Sequence, residues 1–325
     1  MENIRYARTG DGIDLPVIDV TQPAFALDLT EEELTALTGS FVDESRSAEM
    51  PPALREALLA STLGRALMAA SGSFLGGIAT YLLKLGPDHF KGDGHEIDRR
   101  IASSFPALVT RLRLQDMVRL LAEKAAPLIE GAPARPICFV NIGGGAGADS
   151  WNALLWLQSM RPELLGGRRV TIAVLDVDGD GPRFGASAVS SLRAAGGPLA
   201  SCDLAFRSVP YNWSQPAELT RILGDLEAAH AACLVSSEGA LFEYGSDALI
   251  VDNLTGLRAA TAADAIVVGS VTRESEAPRA SQIGATTRPR TFEAFGALCR
   301  EGGWAVERSI SRPFTFNVRL TRETP

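Results

Sequence analysis

The sequence predicts an α/β protein: a mostly parallel seven-stranded sheet closed by an antiparallel hairpin, preceded by a helical region. Three observations carry this. Up to residue 130 the apolar residues recur mainly at helical spacing. From residue 131 onward, short apolar runs alternate with helical stretches, the pattern of parallel strands joined by crossover helices. The last two runs, "WAVERSI" and "RPFTFNVRLTR", are separated only by a short "SRP" connection. A parallel crossover needs a dozen or more residues, so this pair forms a hairpin.

Taken in order, "LPVIDV" near Leu15 reads as a strand or an extended arm. "LTEEELTALTGSFV" opens with Thr30 and, three residues on, Glu33, a capping box that starts a helix. "PALREALLASTLGRALMAA" reads as another helix. Ala66 to Leu83 carries no charge and approaches the length of a bilayer span. Ser71, Gly72, Ser73, Gly76 and Gly77 interrupt it, so two short buried helices around a glycine-rich bend are expected rather than a membrane span. A further helix runs through "PALVTRLRLQDMVRLLAEKAAPLIE", with Leu112, Met117, Leu120 and Leu121 on one stripe. "GAPARP" then breaks the chain.

The strand-like runs that follow are "ICFVNI", "VTIAVLDV", "LAFRSVPY", "ACLVSSE" and "AIVVGSV". Helices such as "DSWNALLWLQSM", "FGASAVSSLRAA" and "PAELTRILGDLEAA" separate them, and "RTFEAFGALCREG" precedes the hairpin. Two units are expected: a mainly helical domain over 1–130, which covers the site, selects the substrate and offers a homodimer surface, and a ligand-binding α/β domain over 131–325.

Of the 325 residues, 46% are hydrophobic and 22% charged, ordinary for a folded globular chain. The net charge of −8 lacks the basic surface that a general nucleic-acid grip needs, so no nucleic-acid partner is expected. Cys138, Cys202, Cys233 and Cys299 form no C-x-x-C pair, so neither a metal site nor a disulfide framework is expected. "MENIRYARTGDGIDLP" has no apolar core, so no secretory signal is expected, and the cytoplasm is the expected compartment. His89, His95 and His230 show no zinc spacing; His89 and His95 fall on a polar loop that either lies exposed or reaches the pocket as a lid.

The chemistry concentrates in "CFVNIGGGAGADS". A sharp strand-to-helix turn that brings backbone close to a flat ligand needs glycine. One phase of this turn, Gly143 to Ala148, is G-x-G-x-x-A and suits a dinucleotide. The other, Gly143, Gly145 and Gly147, is G-x-G-x-G. The second run ends in Asp176, with Asp178 two residues on, where a carboxylate can accept both hydroxyls of a ribose. "VPYNW" ends the third run with Tyr211, Asn212 and Trp213, and "SSEGALFEYGSD" follows the fourth with Ser236, Glu238, Glu243 and Tyr244. No G-x-S-x-G elbow or G-x-x-x-x-G-K-[ST] loop occurs, which disfavours hydrolase and P-loop chemistry.

Five parallel runs, the G-x-G-x-G turn and the closing hairpin together make residues 131–325 resemble the Rossmann-like class I S-adenosylmethionine-dependent methyltransferases. The resemblance implies S-adenosyl-L-methionine as cofactor and methyl transfer to oxygen, nitrogen or carbon of a small molecule. It implies a cofactor set of Asn141, Gly143, Gly144, Gly145, Gly147, Asp176, Asp178, Tyr211, Asn212, Trp213 and Ser236, with the adenine near Tyr211 to Trp213. Glu238 is the first candidate to orient the acceptor or act as its base, followed by Tyr244 and Glu243. Asn141 stands where the family carries an acid, and "SSEG" replaces the "NPPY"-type signature of amide-nitrogen methyltransferases. Two alternatives stay open: an NAD(P)-dependent oxidoreductase using the G-x-G-x-x-A phase, and a member of the fold that binds the cofactor without methylating.

Overall fold

A computed structural model describes residues 4–45, 52–69, 75–90, 95–274 and 287–323. A small ribbon of β1 (Tyr6–Arg8) and β2 (Asp14–Pro16) comes first. It is followed by α1 (Glu31–Ser45), α2 (Pro52–Ala60), α3 (Thr62–Ala69), α4 (Gly77–Leu85), α5 (Glu96–Ala102) and the long α6 (Phe105–Glu130). The alternating part runs β3 (Ile137–Ile142), α7 (Ala148–Met160), β4 (Arg169–Asp176), α8 (Asp180–Arg193), β5 (Asp203–Pro210) and α9 (Ala217–Asp225). It continues with β6 (Ala232–Ser237), α10 (Leu241–Tyr244), α11 (Asp247–Ala260), β7 (Ile266–Thr272) and α12 (Phe292–Glu301), then closes with β8 (Trp304–Ser311) and β9 (Thr315–Arg322).

The main sheet has seven strands in the order β5-β4-β3-β6-β7-β9-β8. β3 to β7 pair in parallel, whereas β9 is antiparallel to both β7 and β8, as the short connection requires. Central strands β3, β6 and β7 are buried at every position, which is why their sequences read as unbroken apolar runs rather than alternating ones. Strand order reverses between β3 and β6, so the crevice beyond their carboxyl ends is the place where such sheets bind ligands.

The capping box is formed: Thr30 and Glu33 exchange hydrogen bonds at 2.8 and 3.2 Å. The single helix expected from "PALREALLASTLGRALMAA" is instead two. Ser61 ends α2, and its hydroxyl accepts the Gly64 amide at 3.0 Å while Asp98 accepts the Leu63 amide at 2.8 Å, capping a second helix. The expected bend between two short helices falls between α3 and α4; residues 70–74 lie outside the described residues. Among the described residues, no helix is long and apolar enough to cross a membrane.

The amino-terminal helices and the sheet share one core. Leu63, Tyr81, Leu114 and Met117 pack in the same cluster as Phe139, Trp151 and Phe184. The end of β2 and the segment after it are clamped between α4 and α7: the Tyr81 hydroxyl donates to Pro16 O at 2.6 Å, and the Trp151 indole donates to Ile18 O at 2.9 Å. On the far side, buried Asp116 of α6 receives Arg312 through two hydrogen bonds at 2.7 Å and Asn317 at 2.8 Å, tying α6 to the hairpin.

Candidate active site

The β3–α7 turn brings the glycines to the carboxyl edge of the sheet. Gly143, Gly145 and Gly147 all have positive φ, at 65°, 54° and 75°. At Gly145 the need for glycine is double. Its φ is one that side chains rarely adopt, and a Cβ there would lie 3.0 Å from Gly77 Cα. Asp176, at the end of β4, accepts the Gly145 amide at 2.8 Å through one oxygen and the Asp178 amide at 2.9 Å through the other. Burial raises the Asp176 carboxyl above its ordinary range, and its bonds to the Asp178 and Gly145 amides oppose that rise. Asp178 accepts the Gly77 amide at 2.7 Å, which ties the first turn of α4 to the loop after β4, while Gly77 itself packs against Gly145.

Below that turn lies a buried polar cluster. Asn141 and Ser236 are register partners on β3 and β6, and each is 1% exposed. Asn141 donates through Nδ2 to Asp149 Oδ1 in the first turn of α7, and the Ser150 amide donates to the same oxygen at 2.8 Å. Asn141 Oδ1 and Asp149 Oδ2 are buried without a hydrogen-bond partner. Buried acceptors of this kind are costly unless something donates to them. Burial first, and then the negative charge of Glu238, push the Asp149 carboxyl up to about 6; Ser236, Lys84 and the Ser150 amide pull the other way.

Glu238, just past β6, lies between two cations brought by the amino-terminal helices. Lys84 of α4 meets it at 2.8 Å and Arg113 of α6 at 3.2 Å. Burial pushes its carboxyl up, but the two cations outweigh that and hold it below the usual carboxylate range. Arg113 also binds Glu243 at 3.1 Å, and the Ser270 hydroxyl donates to Glu243 at 2.7 Å. Tyr244 is half-buried beside this network, and burial followed by the Glu243 charge pushes its phenol up to about 12.

The structure thus brings Asn141, the four glycines, Asp176, Asp178, Ser236 and Glu238 to one edge. It separates the "YNW" residues. Trp213 is half-buried with its ring edge 2.7 Å from where a Gly143 Cβ would stand. Tyr211 turns into the core and donates to Asn253 at 2.6 Å, and exposed Asn212 accepts from the amide and hydroxyl of Ser214. His89 stacks on Phe25 with ring centroids 4.5 Å apart, and His95 faces Asp98 at 3.2 Å. Lys84, Arg113, Asp149 and Gly77 carry no motif, although Asp149 stands only two residues after the last glycine of the turn.

The residues present would fit S-adenosylmethionine: a glycine backbone turn, a carboxylate at Asp176 on the strand end, and two buried acceptor oxygens without a hydrogen-bond partner. No family model and no curated protein matches the sequence. Among solved structures, the chain is similar to a possible exported protein from Bordetella parapertussis, at 17% identity over 91% of this chain and 100% of that one, with a TM-score of 0.59. It is also similar to the pyocyanin biosynthetic protein PhzM, at 22% identity over 90% of this chain and 74% of that one, with a TM-score of 0.44. A third is the O-methyltransferase NcsB1 from neocarzinostatin biosynthesis, at 16% identity over 98% and 81%, with a TM-score of 0.42. With five parallel strands, an antiparallel terminal hairpin and a glycine turn after the central strand, the chain has a Rossmann-like α/β fold, shared with the Bordetella protein at a TM-score of 0.59.

Proposed function

We propose that this protein transfers a methyl group from S-adenosyl-L-methionine to a small-molecule acceptor. The observation that carries the reading is the meeting of the Gly145 amide with Asp176, which unites the glycine turn and the ribose-class acid at the strand-order reversal. The turn from Gly143 to Gly147 would hold the cofactor's backbone-facing side, Asp176 its ribose, Trp213 its adenine, and Asn141 with Ser236 its amino-acid end. The cofactor supplies an electrophilic methyl on a sulfonium; the chain's task is alignment and exclusion of water.

Glu238 serves as a fixed anion that orients the acceptor, because Lys84 and Arg113 hold it ionised and engaged on both oxygens. Tyr244 keeps its proton at neutral pH, so it offers the acceptor a hydroxyl hydrogen bond rather than a base. The 1–130 region acts as the cover that selects the acceptor, since α4 and α6 bring the cations. The four thiols, unpaired and buried, suit a reducing cytoplasm. The nicotinamide alternative loses ground to the hairpin, because the dinucleotide fold's sixth strand continues the parallel sheet. A second reading, cofactor binding without methylation, is favoured by Asn141, which stands where the family carries an acid.

Calorimetry with S-adenosylmethionine tests the proposal, with Gly145→Asp as control. Saturable binding by the wild type that the variant lacks is expected. No binding by the wild type at millimolar cofactor refutes it.

A further inference from the structure

Asn141 occupies the position of an expected acid, and an amide offers no countercharge to an ammonium group. The structure supplies an acid to the same spot from the next element. Asp149 is 1% exposed and hydrogen-bonded to Asn141, and each of the two side chains leaves one acceptor oxygen unpartnered, Asn141 Oδ1 and Asp149 Oδ2. Two buried, unsatisfied acceptors beside a glycine turn form a receptor for a group that donates several hydrogen bonds and carries positive charge.

The surrounding charge points the same way. Facing or adjoining Asp149 are Glu238 from the β6 end, Lys84 from α4 and the Ser236 hydroxyl, with Arg113 of α6 and Glu243 of α10 one contact further. Three carboxylates against two cations leave one uncompensated negative charge when Asp149 is ionised. S-Adenosylmethionine, with sulfonium, ammonium and carboxylate, carries one net positive charge.

We propose that Asp149, displaced from the strand end to the first turn of α7, is the countercharge for the ammonium end of the cofactor, and that its ionisation gates cofactor binding. This rests on the function proposed above. A cation arriving there relieves both influences that raise the Asp149 carboxyl, its burial and its repulsion by Glu238. Binding is therefore linked to loss of the Asp149 proton and weakens as pH falls below about 6.

The test is binding of S-adenosylmethionine and of adenosine, which lacks the amino-acid end, at pH 7 and pH 5. The proteins are wild type, Asp149→Asn, and the exchange variant Asn141→Asp/Asp149→Asn. Wild-type affinity for S-adenosylmethionine should fall about tenfold between these pH values, one pKa unit below the midpoint leaving about a tenth of the carboxyl ionised. Asp149→Asn should bind weakly with no such fall, the exchange variant should regain affinity at neutral pH, and adenosine should bind all three alike. Equal wild-type affinity at both pH values, or unchanged binding by Asp149→Asn, overturns the assignment and leaves the proposed function standing. Loss of adenosine binding in Asp149→Asn overturns it in favour of a merely structural role. If the wild type binds S-adenosylmethionine at neither pH while remaining folded, the proposed function itself falls and takes the assignment with it.

Discussion

Removing the Lys84 charge tests whether α4 is held over the site by ionic contact or by packing alone. Lys84, Arg113, Glu238 and Glu243 carry two charges of each sign, and Lys84 and Glu238 are 7% and 4% exposed in their side chains. Lys84→Met keeps the length of the side chain and leaves the cluster with one excess negative charge. Breaking a buried pair from one side costs about 3–5 kcal/mol. Arg113, 3.2 Å from Glu238, remains as a partner for that carboxylate when Lys84 is replaced, which sets the loss at the lower end, about 3 kcal/mol. Glu238→Gln should cost a similar amount, because it leaves Lys84 buried beside a neutral amide. The double variant restores neutrality, so its loss should be about that of either single change rather than their sum, a coupling of about 2–3 kcal/mol. Urea unfolding of the four proteins at neutral pH, followed by tryptophan fluorescence and circular dichroism, measures the cycle. Additivity to within about 0.5 kcal/mol would show that the two side chains do not act as a pair and that packing alone holds α4 in place.

Asp149→Asn should stabilise the protein at neutral pH. The folded carboxyl is raised from 3.8 to about 6, so its stabilising contribution is complete below the unfolded value and is lost as pH rises through about 6. At neutral pH the variant gains up to about 3 kcal/mol over wild type, an advantage that vanishes near pH 4 in the same unfolding assay. Gly145→Ala puts a side chain at φ 54° and its Cβ 3.0 Å from Gly77 Cα, a strain of about 2 kcal/mol that should speed amide exchange in the first turn of α4. Asp116→Ala strips Arg312 and Asn317 of their shared buried acceptor and should cost about 3–4 kcal/mol, with exchange rising along β9 if α6 anchors the hairpin.

The strands were legible because burial on both faces leaves runs such as "ICFVNI" and "ACLVSS" with almost no polar choice, and the hairpin because its connection is too short for any crossover. Thr30 and Glu33 announce a helix start by local chemistry alone, and the structure contains that start. The break at Ser61 was hidden, since the caps that split α2 from α3 include Asp98, more than thirty residues away in sequence. The glycine turn and Asp176 could be paired from sequence because each marks a strand end. Lys84 and Arg113 could not, because a basic residue on an amphipathic helix reads as solvated surface, and only tertiary packing turns these two onto Glu238. Asp149 was masked for a different reason: an acid in the first turn of a helix is favoured by the dipole and so carries no signal of its own. Tyr211 shows the converse, an aromatic at a strand end whose ring turns inward to Asn253.

A site that moves a methyl group must leave it on an acceptor, which methyl-labelled S-adenosylmethionine makes visible. The protein would be incubated with the labelled cofactor and a panel of small phenols, amines and activated carbon acids, and each product analysed by mass spectrometry. Wild type is expected to form a labelled product heavier by one methyl group, and Gly145→Asp to form none. Saturable cofactor binding with no label transferred to any acceptor class would contradict methyl transfer and establish the non-methylating reading.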